Sequence, residues 1–354
     1  MSATEYAALL EEKRRLEARI ADDESLLERA SNIILSRQQY VSLIVIREKY
    51  RDLCLDISQW VDVNLGDAIY DQLALKERRF ELKAAERLLS LIPASGKEAF
   101  DEPESDLFNI SAVVMNFFRR EVFEPQLYGC LDEEVAKTFA TIEKNMAAAR
   151  YGRTPSDKYF NREWHISTYA GIISDGKFPV IRAQRKEEIL PTLVSMMLIL
   201  NPHPDIDGFK NSLGKLLDDA MSLAEKIHGS LDEWEFVYSR YRDTRAKDRS
   251  GPVGEFDAFI HWNILSLGAK LKVDPGQDDR RYVLDVYPDL YETSLEKGTR
   301  AGDIIGGNGG TILVACQTQA TKIKRVMAPS VLKWLDDTVQ LSIQRPPRQR
   351  RGGL

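Results

Sequence analysis

The sequence predicts a mainly α protein, because three features favour helices over most of its length. Apolar residues recur every seven positions from Tyr6 to Ile44, and then with helical spacing as far as Leu271. Short β-branched runs occur only beyond Lys272. We expect an N-terminal coiled coil or helical hairpin, a helical globular body and a small antiparallel β element near the C-terminus. The predicted sections are 1–92 (long helices), 93–106 (linker), 107–271 (body), 272–344 (β element and final helix) and 345–354 (basic disordered tail).

The N-terminal heptad pattern predicts that the first helix associates with another helix. An apolar stripe of this period cannot be buried by its own helix. Lys13, Asp23 and Arg37 interrupt the stripe, so the second helix could belong to another copy of the chain or to the next segments of the same chain. The predicted partner interface consists of Leu9, Leu16, Ile20, Leu27, Ile34 and Val41.

Two further helices are expected before the body. The first has a face repeating at three and four residues: Tyr50, Leu53, Cys54, Ile57, Val61 and Leu65. The second runs from Ile69 to Leu91 and ends at Pro93. The polar, acidic segment 93–106 carries two prolines, and this composition is typical of a linker.

Helical spacing also dominates the body. A densely apolar helix around 110–118 should stop before Pro125, and the run 184–200, nearly all apolar after Glu188, predicts the central buried helix. An amphipathic helix follows from Phe209 to Ile227. Ser230–Glu233 matches a capping box, which predicts another helix through Tyr241. Residues 256–271 resume helical spacing.

The final section combines strands and one helix. Strands are predicted at 282–287, 311–316 and 321–327, and Ser330 should open the last helix. The tail beyond residue 344 is basic, and nucleic acid is expected to contact it only weakly, through Arg348, Arg350 and Arg351.

The composition is typical of an intracellular protein. The 354 residues carry a net charge of −6, which gives no overall attraction to nucleic acid or anionic membranes. The three cysteines are widely spaced and are interpreted as small buried residues of a protein from a reducing compartment. The first residues lack a secretory signal, and no apolar run reaches the twenty or so residues that span a bilayer. We expect a cytoplasmic location, with the nucleus as the alternative, and no membrane partner.

Two places contain residue types that bind metals. Asp218 and Ser222 have the spacing of a metal-binding helix, and this segment resembles that of class I terpene synthases, which bind magnesium and a diphosphate. The chain departs from that pattern because Lys226 stands where the family has a glutamate. His203 and Asp205 share a loop with two prolines, a composition that also describes a plain turn before a helix.

A resemblance covers one specific segment, Ile46–Val61, with the sequence IREKYRDLCLDISQWV. It is similar to the early helices of helix-rich proteins of filamentous fungi. The resemblance implies an N-terminal coiled coil, a helical body and a short β-containing C-terminus, and it implies no catalytic residues.

The sequence therefore favours a non-enzymatic interaction or scaffold protein, whose partner is a second copy or another helical protein. The heptad pattern carries this hypothesis, and no cofactor is predicted. The alternative is an all-α enzyme or ligand-binding protein with a metal or a ligand in a pocket of the body. A concave cavity with converging charged side chains would favour that alternative.

Overall fold

The structure is a computed structural model, and the residues it describes are 13, 43–70, 80–101, 105–125, 133–148, 155–201, 205–238, 260–263, 280–293, 304–305, 311–316 and 330–344. The chain divides into two compact units, Met1–Ser42 and Leu43–Leu354. All helices and strands bounded below belong to the second unit. The mainly α fold class with a small β element is confirmed.

The helices are numbered in chain order. Their bounds are α1 Leu43–Tyr70, α2 Leu82–Ser90, α3 Ala94–Glu98, α4 Asp106–Phe118, α5 Glu133–Ala148, α6 Pro155–Ile173, α7 Phe178–Leu198, α8 Ile206–His228 and α9 Val331–Gln344. A 3₁₀ turn at Ala99–Asp101 precedes α4, and a π-helical turn at Arg119–Phe123 extends it. Among the described residues, no helix is both long and apolar enough to cross a membrane.

The strands form two sheets of three strands each among the described residues. Their bounds are β1 Glu233–Val237, β2 Ile260–Asn263, β3 Arg280–Tyr287, β4 Asp289–Thr293, β5 Ile304–Ile305 and β6 Thr311–Cys316. The first sheet, in the order β1-β4-β5, is antiparallel. The second, in the order β2-β6-β3, pairs β6 antiparallel with β3 and parallel with β2. The strands predicted at 282–287 and 311–316 are confirmed, and 321–327 lies outside the described residues.

Helix α4 is the most enclosed element, since all of its residues except Asn116 are buried. A helix that is apolar on every side must be surrounded by other elements, and α4 packs against α1 and β3. The helix predicted over 184–200 lies in α7, and the apolar residues Ile189, Leu193 and Met196 in it are buried. In the same helix Arg185 is half-buried and Glu188 is exposed, so the most enclosed position belongs to α4 instead.

The apolar face predicted for α1 is confirmed, because all six of its residues are buried. Two hydroxyl contacts tie this face to the end of β3: Tyr50 Oη donates to the Pro288 carbonyl at 2.5 Å, and Ser58 Oγ lies 2.5 Å from Tyr287 Oη. On the other side, Trp60 Nε1 donates to Ser212 Oγ of α8 at 2.9 Å. Helix α1 therefore connects the β element to the helical body.

Two helices predicted from spacing are wrong. Glu233–Val237 is a strand whose register with β4 runs from Glu233↔Thr293 to Val237↔Asp289. The Ser230 hydroxyl accepts a bond from the backbone N–H of Asp232 at 3.3 Å, which makes a local turn in place of the predicted helix cap. Residues 260–263 are likewise a strand, paired with β6. In both cases pairing with another strand overrides the local helical spacing.

The segment 93–106, predicted as a linker, contains α3 and the 3₁₀ turn, and Phe100 is buried. Asn109 Nδ2 donates to the Gly96 carbonyl at 3.2 Å, and a Cβ at position 96 would overlap the Asn109 amide. Ser105 Oγ donates to the Ala99 carbonyl at 2.9 Å. These bonds fold the segment back onto the start of α4.

A buried carboxylate at the start of α4 holds the final helix. Asp106 Oδ1 accepts a bond from Ser330 Oγ, and Asp106 Oδ2 accepts one from the Val331 N–H, both at 2.7 Å. Ser330 Oγ in turn accepts the Lys333 N–H at 3.0 Å, so it is the N-cap of α9. The predicted final helix is confirmed.

We expect Asp106→Ala to lower the free energy of unfolding by about 3 kcal/mol, because it leaves two buried donors at the start of α9 without an acceptor. Urea titration followed by circular dichroism measures this. The matched control is Asp337→Ala, which removes an exposed carboxylate of the same helix and should change the free energy by less than about 0.5 kcal/mol. Equal effects of the two substitutions would contradict the anchoring role of Asp106.

Candidate functional site

The sequence-predicted metal candidates do not form a metal site among the described residues. Asp218 accepts bonds from Lys186 Nζ at 2.6 Å and Arg182 Nη1 at 3.3 Å, so two cations already neutralise its carboxylate. A divalent cation would be repelled by both. Ser222 lies one turn further along α8, and Asp205 is an exposed residue at its start. His203 lies outside the described residues, and within them no three His, Cys, Asp or Glu side chains are grouped to hold a metal.

The predicted partner interface also lies outside the described residues. This holds for Leu9, Leu16, Ile20, Leu27, Ile34 and Val41, and for the tail arginines Arg348, Arg350 and Arg351. The coiled coil and the tail contact therefore stay predictions.

A cavity lies where the π-helical turn, α6, the end of α8 and strand β1 meet. Its volume is about 290 Å³, near the lower end of the range of about 300–1,000 Å³ for small-molecule sites. The lining residues are Arg119, Phe123, Glu124, Arg162, Ile227, His228, Trp234, Glu235 and Phe236. Charged and aromatic side chains thus converge on one concave surface.

The π-helical turn supplies one wall of this cavity. The Glu124 N–H donates to the Arg119 carbonyl at 2.8 Å, five residues back, where an α-helix would bond four residues back. The extra residue changes the direction of the side chains, and Arg119, Phe123 and Glu124 all line the cavity. Pro125 follows directly and cannot continue a helix, which agrees with the stop predicted there.

Arg162 holds the end of α8 from the neighbouring helix α6. Its Nη2 donates to the Ile227 carbonyl at 2.8 Å and the His228 carbonyl at 3.5 Å, while Nε donates to the Ser230 carbonyl at 2.9 Å. The last carbonyls of a helix lack partners within it and carry partial negative charge, so a guanidinium stabilises them. Burial lowers the pKa of Arg162, but a guanidinium remains charged at every physiological pH.

One nitrogen of this guanidinium is left over for the cavity. Arginine has five N–H donors, and Arg162 Nη1, which carries two of them, bonds to none of the described residues. Because the other two nitrogens are fixed by backbone carbonyls, the direction of Nη1 is fixed as well. Arg162, a residue of the cavity lining, therefore keeps a fixed, positively charged group with two unused N–H donors.

Trp234 and His228 also line this cavity, and each has a buried polar atom in its ring. Among the described residues, neither Trp234 Nε1 nor His228 Nε2 has a hydrogen-bond partner. Burial, then the neighbouring His165, then Arg162 lower the pKa of His228 to about 3. His228 is therefore neutral at neutral pH, and the positive charges of the cavity are those of Arg119 and Arg162.

A cluster of aromatic polar rings lies behind His228. The ring centroid of His228 is 5.8 Å from that of His165 and 5.7 Å from that of Tyr169. His165 Nδ1 forms a hydrogen bond with the Glu143 carboxylate. This cluster joins α5, α6 and α8 and fixes His228 at the back of the cavity.

Part of the cavity lining is aromatic. The Phe123 and Phe236 ring centroids are 4.9 Å apart. Arg119 lies 5.1 Å from the Tyr238 ring centroid and 3.4 Å from Glu124 Oε1, so its charge is already partly satisfied by a cation–π contact and an ion pair. The cavity thus combines an apolar wall with donors at its back.

Cys54 takes no part in the cavity. Cys54 is buried in α1, and burial raises the pKa of its thiol, which keeps it protonated. The prediction that Cys54 is a buried small residue is confirmed.

We expect the neutral, buried His228 to make the protein sensitive to acid. In the unfolded chain the imidazole takes up a proton below its ordinary pKa of 6.5, while in the folded protein its pKa is about 3. The unfolded state therefore binds more protons between these values, and stability falls as the pH falls through that window, by about 1.4 kcal/mol per pH unit.

The measurement compares the wild type with His228→Gln, whose amide does not titrate. Urea unfolding at about pH 6.5 and pH 5.0 should show an extra loss of about 2 kcal/mol in the wild type. Carboxylate titrations are common to both proteins and cancel in this difference. Identical pH dependence of the two proteins would contradict a buried, neutral His228.

Comparison with known proteins leaves the geometry of the cavity as the guide to function. No protein-family model, curated protein or solved structure matches this chain. The resemblance of Ile46–Val61 to fungal helix-rich proteins accordingly stays a prediction.

Proposed function

We propose that the body of this protein binds a small organic anion in the cavity at the end of α8. The observation that carries the proposal is that Arg162 and Trp234 line one cavity, while Arg162 Nη1 and Trp234 Nε1 bond to none of the described residues. Buried donors almost always have acceptors in folded proteins. A bound acceptor group would meet that requirement.

The energetics favour an anionic acceptor over a neutral one. A buried donor without an acceptor costs about 1–3 kcal/mol, and hydrogen bonds that involve a charged group contribute about 1.5–3 kcal/mol. A carboxylate matches the planar donor geometry of a guanidinium, and its second oxygen can accept from a neighbouring N–H. Because Arg162 is already held by three carbonyls, little conformational entropy is lost on binding.

The apolar wall supports an organic ligand over a bare ion. Phe123 and Phe236 offer ring surface next to the donors. Most ligand pockets are lined mainly by apolar and aromatic groups, with a few polar groups that fix the orientation of the ligand. An apolar body on the ligand would bury this surface, at about 25 cal/mol per Å².

Association through the N-terminal helix is a second candidate function, carried by the heptad pattern of residues 6–44. It concerns the first compact unit, Met1–Ser42, and is compatible with a ligand site in the second. A protein could thus be assembled by one unit and bind its ligand with the other. The intracellular location also stays a prediction.

For the ligand site, we expect 4-methylbenzoate to bind the wild type, and Trp234→Phe to weaken binding about tenfold, because only one N–H donor is lost. Arg162→Lys should weaken binding at least as much, since an ammonium lacks the planar fork. Isothermal titration calorimetry measures both affinities, after circular dichroism has shown that the variants are folded.

The control variants are Trp164→Phe and Arg185→Lys. Trp164 packs on Phe139, and Arg185 pairs with Glu121 and Glu188, away from the cavity lining. Both controls should bind within about twofold of the wild type. The proposal fails if the wild type binds no carboxylate, or if the control variants lose as much affinity as the cavity variants.

For the association candidate, we expect the full-length chain to be an oligomer in sedimentation equilibrium, and Leu16→Glu with Leu27→Glu to make it monomeric. Two charges in the apolar stripe remove its burial. Ala18→Glu, outside the stripe, should leave the oligomer intact. A monomeric wild type would exclude self-association and leave the intramolecular hairpin.

A further inference from the structure

We infer that the ligand is a small aromatic zwitterion, with a carboxylate at the inner end of the cavity and a cationic amine at its mouth. This inference rests on the proposed function and names the ligand class for the same site. It follows from the charges of the lining, their burial and the aromatic wall between them.

The charges of the lining sum to zero, which favours a ligand without net charge. Arg119 and Arg162 are positive, and Glu124 and Glu235 are negative. Arg119 and Glu124 form an ion pair with each other at 3.4 Å. Arg162 and Glu235 form no ion pair with any described residue, so each is left to interact with the ligand.

A dianion fits this arrangement poorly. Glu233, Glu143 and Asp232 also act on the charge of Arg162 from beyond ion-pair distance. Together with Glu235, these carboxylates compensate much of the positive charge of the two arginines in the lining. A phosphate dianion would face these carboxylates, and like charges brought together in a poorly solvated site cost several kcal/mol, roughly.

The two unpaired charges, on Arg162 and Glu235, differ in how deeply they are buried. Arg162 is half-buried, its guanidinium fixed beneath the end of α8, whereas Glu235 is exposed on β1. A carboxylate therefore belongs at the inner end and an ammonium at the outer end. Phe123, which is 7% exposed, and Phe236 line the same cavity with their rings in contact.

The size of the cavity limits the distance between the ligand's two charges. A sphere with the volume of about 290 Å³ would be about 8 Å across, enough for one aromatic ring with a substituent at each end. A flat ring between the charged ends fits the tilted pair of phenylalanine rings, since aromatic rings associate at centroid distances of about 4.5–7 Å.

The test uses four probes that share one ring: 4-(aminomethyl)benzoate, 4-methylbenzoate, benzylamine and phenyl phosphate. Calorimetry on the full chain should show that 4-(aminomethyl)benzoate binds about tenfold tighter than 4-methylbenzoate. Benzylamine and phenyl phosphate should bind more weakly than either. Glu235→Gln should remove the tenfold advantage and leave the affinity for 4-methylbenzoate unchanged.

The matched control is Glu187→Gln, an exposed glutamate of α7 that does not line the cavity, and it should keep the advantage. Equal affinities for 4-(aminomethyl)benzoate and 4-methylbenzoate would overturn the zwitterion but leave the anion site standing. Tighter binding of phenyl phosphate would do the same. Binding of none of the three carboxylate or phosphate probes would overturn the proposed function itself.

Discussion

The cavity depends on the contact between Arg162 and the end of α8. A helix that ends in the interior leaves carbonyl groups without donors, and Arg162 supplies them from a different helix. This contact fixes where α8 stops and where the chain turns toward β1. His228, at the end of α8, and Trp234, at the start of β1, both line the cavity. If the guanidinium were absent, both the helix end and the cavity wall would have to rearrange.

The same contact links stability to recognition. Burying a guanidinium costs free energy unless all of its donors find acceptors. Three bonds to backbone carbonyls offset part of that cost for Arg162, and two of its N–H groups remain for a ligand. Trp234 Nε1 likewise is a buried donor without an acceptor among the described residues. A ligand that supplies two acceptor oxygens would complete both, so binding should stabilise the fold as well as occupy the site.

The sequence predicted correctly those elements that depend on a pattern of neighbouring residues. The face of α1, the dense helix α4 and the cap of α9 at Ser330 are examples, since each depends on residues close in the sequence. Strand β1 was missed because its pairing partner lies more than fifty residues away. Arg162 was missed for a related reason. It is one of 49 basic residues, and its spacing does not indicate that it contacts the end of another helix. The π-helical turn could not be predicted, because Pro125 indicates where the helix ends but not that its last turn is π-helical.

The most direct measurement of the central claim is the indole resonance of Trp234. The chain has five tryptophans, and Trp234→Phe assigns the relevant ¹H–¹⁵N signal in a spectrum of the full chain. Titration with 4-methylbenzoate should move that signal downfield in a saturable way, because an unbonded N–H gains a carboxylate acceptor, while the signal of Trp164 stays in place. If the Trp234 signal does not move, the donors of this cavity do not bind a carboxylate, and the account is contradicted.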